Sequence, residues 1–199
     1  MLLDADDCQL VLVDYQARLM PAIHESDLVL HNAVRLARMA QLVEVPVWGT
    51  EQNPQGLGPN AGEVRALCRK TLAKMSFSAC AEGLVETLRP PVKPQGGNAR
   101  SLPKHLQKPT AASVRNSVVV AGCEAHVCLM QTALELLDEE FEVWVVTDAC
   151  GSRTERNRDA AFDRLAGAGC ELVTTEMVAF EWLRSADHPA FEEIRNLIK

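Results

Sequence analysis

Six short apolar runs recur along this chain of 199 residues, and turn or polar residues bound each of them. They lie at 9–13, 45–50, 71–74, 117–122, 141–147 and 171–174. Helical patterns fall between several of the runs and after the last one, at 27–43, 82–88, 127–139, 155–168, 176–184 and 191–198. Strands that alternate with helices imply parallel pairing through right-handed crossovers. The pattern therefore predicts an α/β protein built as a three-layer α/β/α sandwich.

Length and composition narrow the class of protein. A chain of 199 residues fits one domain over 1–199, a size at which folding buries roughly 70% of the extended chain's surface. The apolar fraction of 47% and the charged fraction of 24% are near globular averages, so global disorder is not expected. No apolar run approaches the ~20 residues of a membrane span, and the acidic start at 1–7 is unlike a signal peptide. We expect a soluble, cytoplasmic protein without membrane partners.

Charge and cysteine usage exclude further classes. The net charge of −7 weighs against general binding to nucleic acid, which depends on basic surfaces. The cysteines form an odd set of seven with no CxxC pair and no histidines at zinc-finger spacing; they are residues 8, 68, 80, 123, 128, 150 and 170. This usage is typical of a reducing compartment, with the thiols packed in the interior. We expect no structural zinc site.

One segment, 89–115, interrupts the alternation and is called the basic segment below. It contains five prolines and six Lys or Arg residues but no acidic residue. Prolines deny regular pairing, so the pattern predicts a surface excursion with one helical turn near 102–107. A loop that docks on an acidic face of its own or a neighbouring subunit is favoured. A lid and an RNA contact are the alternatives, although one basic cluster on an acidic protein is weak evidence for RNA binding.

The run at 117–122 leads through Gly122, interpreted as a sharp exit, into a helical pattern with Cys128 in its first turn. Val127, Met130, Leu134 and Leu137 form the apolar face of that helix. Unpaired N–H groups and the helix dipole favour a thiolate there, and such positions lower a cysteine pKa from ~8.5 to roughly 3.5–7.5. A cysteine after a strand is otherwise a small core residue. This segment alone leaves both interpretations open.

Charged residues follow two other runs. Asp14 comes directly after the run at 9–13, and Lys74 ends the run at 71–74. Ligands of parallel sheets bind beyond the carboxyl ends of the strands, where a carboxylate near apolar walls can accept a proton. Taken singly, Asp14 also fits a helix cap and Lys74 a surface charge. Together with Cys128 they supply a base, an electrostatic stabiliser and a nucleophile for covalent acyl chemistry.

Two polar positions near the fifth run favour structural roles. Asp148 follows that run, where a catalytic role is possible by position, but short polar side chains at strand exits commonly bond local backbone. Ser152 and Glu155 have the spacing of a capping box for the helix that follows.

Motifs at six places together point to one protein family. They are VDYQ at 13–16, TEQNPQGLGP at 50–59, KMSFS at 74–78, GCEAHVC at 122–128, QTA at 131–133 and TDAC at 147–150. These motifs resemble the isochorismatase-like cysteine hydrolases, which include nicotinamidases, N-carbamoylsarcosine amidohydrolases and isochorismatase itself. The resemblance covers nearly the whole chain apart from the basic segment. The second and fourth motifs are most similar to the isochorismatase domain-containing protein 1 and 2 subgroup.

The resemblance implies a six-stranded parallel sheet and a catalytic set of Asp14, Lys74 and Cys128, the positions reached above from spacing. It also implies a cis peptide bond between Cys123 and Glu124. The natural use of that bond is an oxyanion hole formed by the backbone N–H groups of Glu124 and Cys128, with about 2.7–4 kcal/mol per donor. The candidates for the wall of a substrate pocket are Gln16, Gln52, Phe77 and His126, and His126 equally fits a supporting or interface position.

Two departures from the family narrow the expected function. Nicotinamidases hold a metal through an aspartate and a histidine where this chain has Gln52 and Pro54, so we expect no metal and no cofactor. True isochorismatases lack the nucleophilic cysteine and cleave a vinyl ether. We therefore expect a metal-independent cysteine hydrolase that cleaves a small amide or other C–N bond through a thioester.

Alternatives and partners complete these expectations. The rival enzyme is a vinyl-ether hydrolase of isochorismate-like acids, and the rival class is a non-catalytic or RNA-associated protein that retains the fold. Family members commonly form dimers or larger rings. Apolar helices near 178–182 and 191–198 offer a surface for such a homo-oligomer.

Overall fold

The computed structural model describes residues 1–90 and 115–199, which form a six-stranded sheet covered by helices. The strands are β1 (Cys8–Val13), β2 (Val47–Gln52), β3 (Lys70–Lys74), β4 (Ser117–Gly122), β5 (Glu142–Val146) and β6 (Glu171–Val173). Their order is β3-β2-β1-β4-β5-β6, and every neighbouring pair is parallel. The six-stranded parallel sheet expected from the sequence is confirmed.

Helices cover both faces of this sheet. They are α1 (Ser26–Leu42), α2 (Pro54–Leu57), α3 (Gly62–Leu67), α4 (Leu84–Leu88), α5 (Met130–Asp138), α6 (Glu155–Ala168), α7 (Thr175–Leu183) and α8 (Phe191–Ile198). Helix α1 contacts α3, α7 and α8, whereas α5 contacts α6. The three-layer sandwich is therefore confirmed. The sequence patterns missed α2 and α3, which are only one or two turns long.

The direction of the strand order reverses between β1 and β4, at the centre of the sheet. Every residue of these two strands is buried, which explains their nearly continuous apolar sequences. Ligands of such open parallel sheets bind at this reversal, beyond the carboxyl ends of the strands. The residues that follow β1 and β4 are Asp14 and Cys123, so the chain delivers its candidate site residues to this edge.

Gly122 serves a close approach of two strands rather than a sharp turn. It is the last residue of β4 and pairs with Val13 of β1. A Cβ atom at Gly122 would lie 2.4 Å from the Val13 carbonyl oxygen and 2.5 Å from its Cβ. The absence of a side chain therefore lets β1 and β4 meet directly beneath the site.

Tertiary packing corrects two local interpretations. The fully buried face of α5 and the turn before it consists of Leu129, Ala133 and Leu136. The predicted face is only partly buried and flanks it; its members are Val127, Met130, Leu134 and Leu137. The predicted capping box is wrong, because Thr154 caps α6 by accepting a hydrogen bond from the Asn157 N–H. The Ser152 hydroxyl contacts His126 Nδ1 at 3.0 Å instead.

The helices near 178–182 and 191–198 do not form the exposed apolar pair that was expected. Val178 and Trp182 lie inside the protein's own core, with exposed fractions of 0% and 3%. The large apolar side chains that α7 exposes are those of Met177 and Phe180. The expectation that Val178 and Trp182 are exposed is therefore wrong.

The basic segment lies outside the described residues except at its two ends. The Arg89 guanidinium stacks on the Phe141 ring at 3.6 Å from the ring centroid and donates to the Asn116 side chain. Arg115 donates to the carbonyl oxygen of Cys8 at 2.8 Å. These two arginines are thus engaged in fixing the ends of the segment to the sheet and its flank.

None of the helices in the described part of the chain combines the length and apolar character that a membrane span requires. All seven cysteines are free, and five of them are buried.

Candidate active site

Asp14 occupies the first position after β1 and is completely buried. Its backbone lies in the left-handed region at φ 55°, a conformation that aspartate tolerates better than most residues. Oδ1 accepts a hydrogen bond from the Thr50 hydroxyl at 2.6 Å, and Oδ2 accepts one from Lys74 Nζ at 2.7 Å. Both carboxylate oxygens are therefore oriented by neighbouring strands, Thr50 coming from β2 and Lys74 from β3.

Lys74 ends β3, the strand at the edge of the sheet, yet only 2% of it is exposed. Its ammonium donates to Asp14 Oδ2 at 2.7 Å, to the Phe77 carbonyl at 2.9 Å and to the Ser76 carbonyl at 3.3 Å. An ammonium has three N–H bonds, and these contacts engage all three. A buried ammonium is tolerated because it is paired and hydrogen-bonded.

A tight loop after β3 delivers the two carbonyl groups to Lys74. The exposed Glu82 carboxylate accepts hydrogen bonds from the backbone N–H groups of Met75 and Ser76, at 2.8 and 2.5 Å. These bonds hold the pKa of Glu82 below its usual value. The loop's backbone donors thus face Glu82 outside, and its carbonyl oxygens face Lys74 inside. Sequence patterns did not predict this role, because nothing in them distinguishes Glu82 from an ordinary surface acid.

Cys128 lies in a turn of π-helix, Ala125–Leu129, between β4 and α5. Only 7% of the residue is exposed. Burial first, and then the charge of Asp14, raise the pKa of its thiol to about 12. Lys74 lowers the same pKa through its positive charge, so both members of the ion pair lie near the thiol. The three predicted residues are therefore brought together.

The expectation that Cys128 is a thiolate at rest is wrong. The positive end of a helix dipole acts on exposed or partly exposed groups, whereas here the loss of hydration is the largest influence on the thiol. Sulfur therefore keeps its proton at neutral pH. Asp14 is the carboxylate whose charge acts on that thiol.

Burial raises the pKa of the other six thiols as well. Cys128 differs from them because Lys74 lowers its pKa. A cation beside a thiol is the usual means by which a protein activates a cysteine. The remaining cysteines are typical of inert, packed thiols.

The backbone around Glu124 is fixed on both sides of the turn. The peptide bond between Cys123 and Glu124 is cis, the geometry that the family resemblance implied. The Glu124 carbonyl accepts hydrogen bonds from the N–H groups of Val127 and Leu129 at 3.0 and 3.3 Å. In the described parts of the chain, the Glu124 N–H has no hydrogen-bond acceptor.

The four pocket-wall candidates fare differently. Gln16 is not available to a ligand, because it is completely buried and its amide bridges the Gln52 backbone and the Gly58 carbonyl. Gln52 pairs with Lys74 across the two strands and donates to the Met75 carbonyl at 3.1 Å. Its position beside Lys74 keeps it a wall candidate.

Phe77 follows Lys74 by three residues, and His126 precedes Cys128 by two. The Phe77 ring is exposed, while its carbonyl binds Lys74. His126 is partly buried in the turn that carries Cys128, and its Nδ1 contacts the Ser152 hydroxyl. Both remain candidates for contact with a substrate. Supporting groups that the sequence patterns missed are Thr50, Glu82 and Ser152.

The structural interpretation of Asp148 is confirmed. Its Oδ1 accepts hydrogen bonds from the backbone N–H and the hydroxyl of Thr175, at 2.8 and 2.9 Å. Asp148 thus fixes the start of α7 rather than taking part in the site.

Two surface cavities lie away from these residues. One of about 560 Å³ is lined by Val47, Arg69 and Arg115, and one of about 490 Å³ lies between α1 and α8. Neither of these two cavities is lined by Asp14 or Cys128.

Fold and site together define a class of protein: a parallel α/β sandwich with a carboxylate, an ammonium and a thiol near the carboxyl ends of its strands. The chain belongs to the isochorismatase family, whose isochorismatase domain matches residues 8–177. Isochorismatase domain-containing protein 2B of Mus musculus is 35% identical over 190 residues, which are 96% of this chain and 80% of that protein. The expected likeness to the domain-containing protein 1 and 2 subgroup therefore holds.

Solved structures share the fold. A MAR1 ribonuclease from Caenorhabditis elegans has a TM-score of 0.84 and 27% identity, covering 100% of this chain and 92% of that one. YcaC from Pseudomonas aeruginosa, with hexane-2,5-diol and covalent acrylamide, has a TM-score of 0.82 and 25% identity over 98% and 91% of the two chains. The Escherichia coli YcaC gene product, an octameric hydrolase of unknown specificity, has a TM-score of 0.79 and 27% identity over 100% and 95%.

Proposed function

We propose that this protein is a metal-independent cysteine hydrolase that cleaves a small amide or other C–N bond through a thioester. One observation carries the proposal: the buried Asp14–Lys74 ion pair, 2.7 Å long, lies near enough to Cys128 for both charges to shift the pKa of its thiol. A base, a cation and a nucleophile that lie together in a nearly water-free site are the parts that acyl transfer requires.

The first half of the reaction forms the thioester. Cys128 sulfur attacks the carbonyl carbon while Asp14 accepts the thiol proton, and the carbonyl electron pair moves onto oxygen. The N–H groups of Glu124 and Cys128 bind that oxyanion. The C–N bond then breaks, its electron pair stays with nitrogen, and Asp14 returns the proton to the departing amine.

The second half releases the acid. Asp14 accepts a proton from water as the water oxygen attacks the thioester carbon, and a second oxyanion forms in the same position. Its collapse breaks the C–S bond, and the sulfur recovers a proton from Asp14. Lys74 stays charged throughout, holds the carboxylate in place and favours the anionic sulfur that forms transiently.

Access and donor chemistry support a small substrate and a metal-free reaction. Cys128 is 7% exposed, so a reacting carbonyl must reach it through a narrow opening. Pro54, which stands where nicotinamidases have a metal-binding histidine, offers no side-chain ligand. The related Pseudomonas aeruginosa YcaC holds a covalent acrylamide. Acrylamide reacts with nucleophiles at its alkene carbon, so this adduct supports a reactive nucleophile in that relative but not amide cleavage.

Assembly and location are part of the proposal. The octameric Escherichia coli relative supports a homo-oligomer of two or more subunits. We expect the protein to act in the cytoplasm, where seven free thiols remain reduced. We assign no membrane or nucleic-acid partner to it.

A panel of small amides and ureas, assayed with wild type and Cys128→Ala, tests the reaction. Hydrolysis is expected in wild type and lost in Cys128→Ala, while the matched control Cys68→Ala, at a partly buried thiol directly after α3, keeps full activity. An isochorismate-like vinyl ether and a single-stranded RNA complete the panel. Vinyl-ether cleavage that survives Cys128→Ala contradicts the proposal. So does RNA cleavage without amide hydrolysis, the outcome that the relative called a ribonuclease makes worth measuring.

A further inference from the structure

Glu124 is fastened through its side chain to a distant loop. Its Oε2 accepts two hydrogen bonds from Arg153, one from the backbone N–H and one from Nε, both at 3.0 Å. The Glu124 side chain is 11% exposed, whereas that of Arg153 is 61% exposed. Acidic side chains are rarely buried without a partner, so a buried acid beside a reactive centre usually has a structural or functional role.

The rest of the turn is fixed by backbone bonds. The Glu124 carbonyl binds the N–H groups of Val127 and Leu129, and the Ala125 N–H donates to the Gly151 carbonyl at 2.7 Å. The Glu124 side chain adds a second tie to the same loop, at residue 153. The backbone N–H is the only hydrogen-bond donor of Glu124, and no described residue accepts a hydrogen bond from it.

We propose that the Glu124 carboxylate, clamped by Arg153, is a positioning residue that holds its own backbone N–H as an oxyanion donor. This inference rests on the proposed hydrolase function and deepens it. A donor stabilises a transition state only when it is aimed before the reaction begins, since reorganisation during the reaction cancels the gain. The carboxylate and the carbonyl anchor the side chain of Glu124 and the peptide group after it, so the Cα atom is held in place and the preceding peptide, which carries the N–H, has less freedom to rotate.

The Glu124 carboxylate is expected to affect the orientation of its own backbone N–H and not the pKa of the Cys128 thiol. The groups that shift the pKa of Cys128 are Asp14 and Lys74, besides burial, and Glu124 is not among them. A loss of Glu124 is therefore expected to affect reactions that form an oxyanion and to spare reactions of the sulfur that form none. This separation makes the proposal testable.

The experiment compares two reactions of Cys128. Alkylation by iodoacetamide displaces iodide and forms no oxyanion. Reversible addition of propionaldehyde joins sulfur to the carbonyl carbon, and the carbonyl oxygen, which takes up the thiol proton at equilibrium, occupies the oxyanion position. Both are measured by mass spectrometry on the full chain, beside the steady-state kinetics of the amide found in the panel.

Glu124→Ala is expected to weaken aldehyde binding about 10- to 100-fold and to lower kcat by a similar factor with KM unchanged. The alkylation rate stays within about twofold, since no oxyanion forms in that reaction. Glu124→Gln retains most of the aldehyde affinity, because its amide oxygen accepts the same two hydrogen bonds.

Two further variants protect the test against misfolding. Arg153→Ala removes only the exposed guanidinium bond and leaves the backbone bond, so a drop of about threefold in aldehyde affinity is expected. The matched control is Glu155→Ala, which breaks the exposed 3.5 Å ion pair with Arg158 and does not touch residue 124. It should change neither reaction.

The outcomes separate the two proposals. A wild-type Cys128 that reacts with neither reagent overturns the hydrolase function and this inference together. Normal alkylation with unchanged aldehyde affinity in Glu124→Ala and in Arg153→Ala overturns the positioning role alone. Equal losses in both reactions, or a Glu124→Gln variant as defective as Glu124→Ala, also overturn it, because each points to a role other than aiming the N–H.

Discussion

Asp14→Asn is expected to move two properties of Cys128 in opposite directions. In the wild type, the charge of Asp14 raises the pKa of the thiol, and Lys74 lowers it. The substitution removes the raising influence and leaves the cation. The pKa of Cys128 therefore falls and its alkylation accelerates. Hydrolysis slows instead, because no group then accepts the thiol proton or protonates the leaving amine.

The magnitudes follow from the burial of the thiol. With a pKa of about 12 against an ordinary 9.0, the wild-type thiolate fraction at pH 8 is roughly 1,000-fold smaller than that of a free cysteine. The greater nucleophilicity of a high-pKa thiolate offsets about 20- to 30-fold of this deficit. Wild-type Cys128 should therefore react with iodoacetamide roughly 30- to 60-fold more slowly than a free thiol. Loss of the acid–base group costs hydrolysis about 100- to 10,000-fold.

Alkylation rates between pH 7 and 10.5, followed by mass spectrometry of the Cys128 peptide, test the expected slow reaction of the thiol. Hydrolysis rates of wild type and Asp14→Asn test the expected loss of activity. Circular dichroism confirms that Asp14→Asn is folded, and Cys128→Ala identifies background labelling. The reasoning is refuted by a wild-type thiol that titrates below pH 8. It is equally refuted if Asp14→Asn slows alkylation and hydrolysis together.

Three further outcomes are expected. Lys74→Met leaves Asp14 buried and unpaired, so the free energy of unfolding, measured in urea, should fall by about 3–5 kcal/mol. It should partly recover in the double variant Asp14→Asn/Lys74→Met. Strictly additive losses in the two single variants would contradict the pairing. Gly122→Ala forces a methyl group against the β1 backbone and should cost about 3 kcal/mol or more, whereas Gly62→Ala, with open space around it, should stay within about 0.5 kcal/mol. Burial raises the pKa of all seven thiols, so the unfolded chain releases protons first and stability should fall as pH rises above about 9; a melting temperature unchanged between pH 8 and 10 opposes this.

The local sequence was sufficient to predict the fold class and to group the three candidate catalytic residues. Strands β1 and β4 are buried on both faces, so nearly all of their consecutive residues have to be apolar. Because parallel strands share a carboxyl edge, the residues after three strands had to approach one another. Asp14, Lys74 and Cys128 could therefore be grouped before any contact was known.

Tertiary structure alone decided the chemistry of that group. The protonation of Cys128 depends on how much water its neighbours exclude, a sum over residues distant in sequence, and the local helix dipole gave the wrong direction. The same holds for Gln16, whose amide is consumed by backbone from another loop, and for Glu124, whose partner Arg153 is 29 residues away. Hydrogen-bond partners and burial are long-range properties, so a pattern read along one stretch of chain cannot contain them.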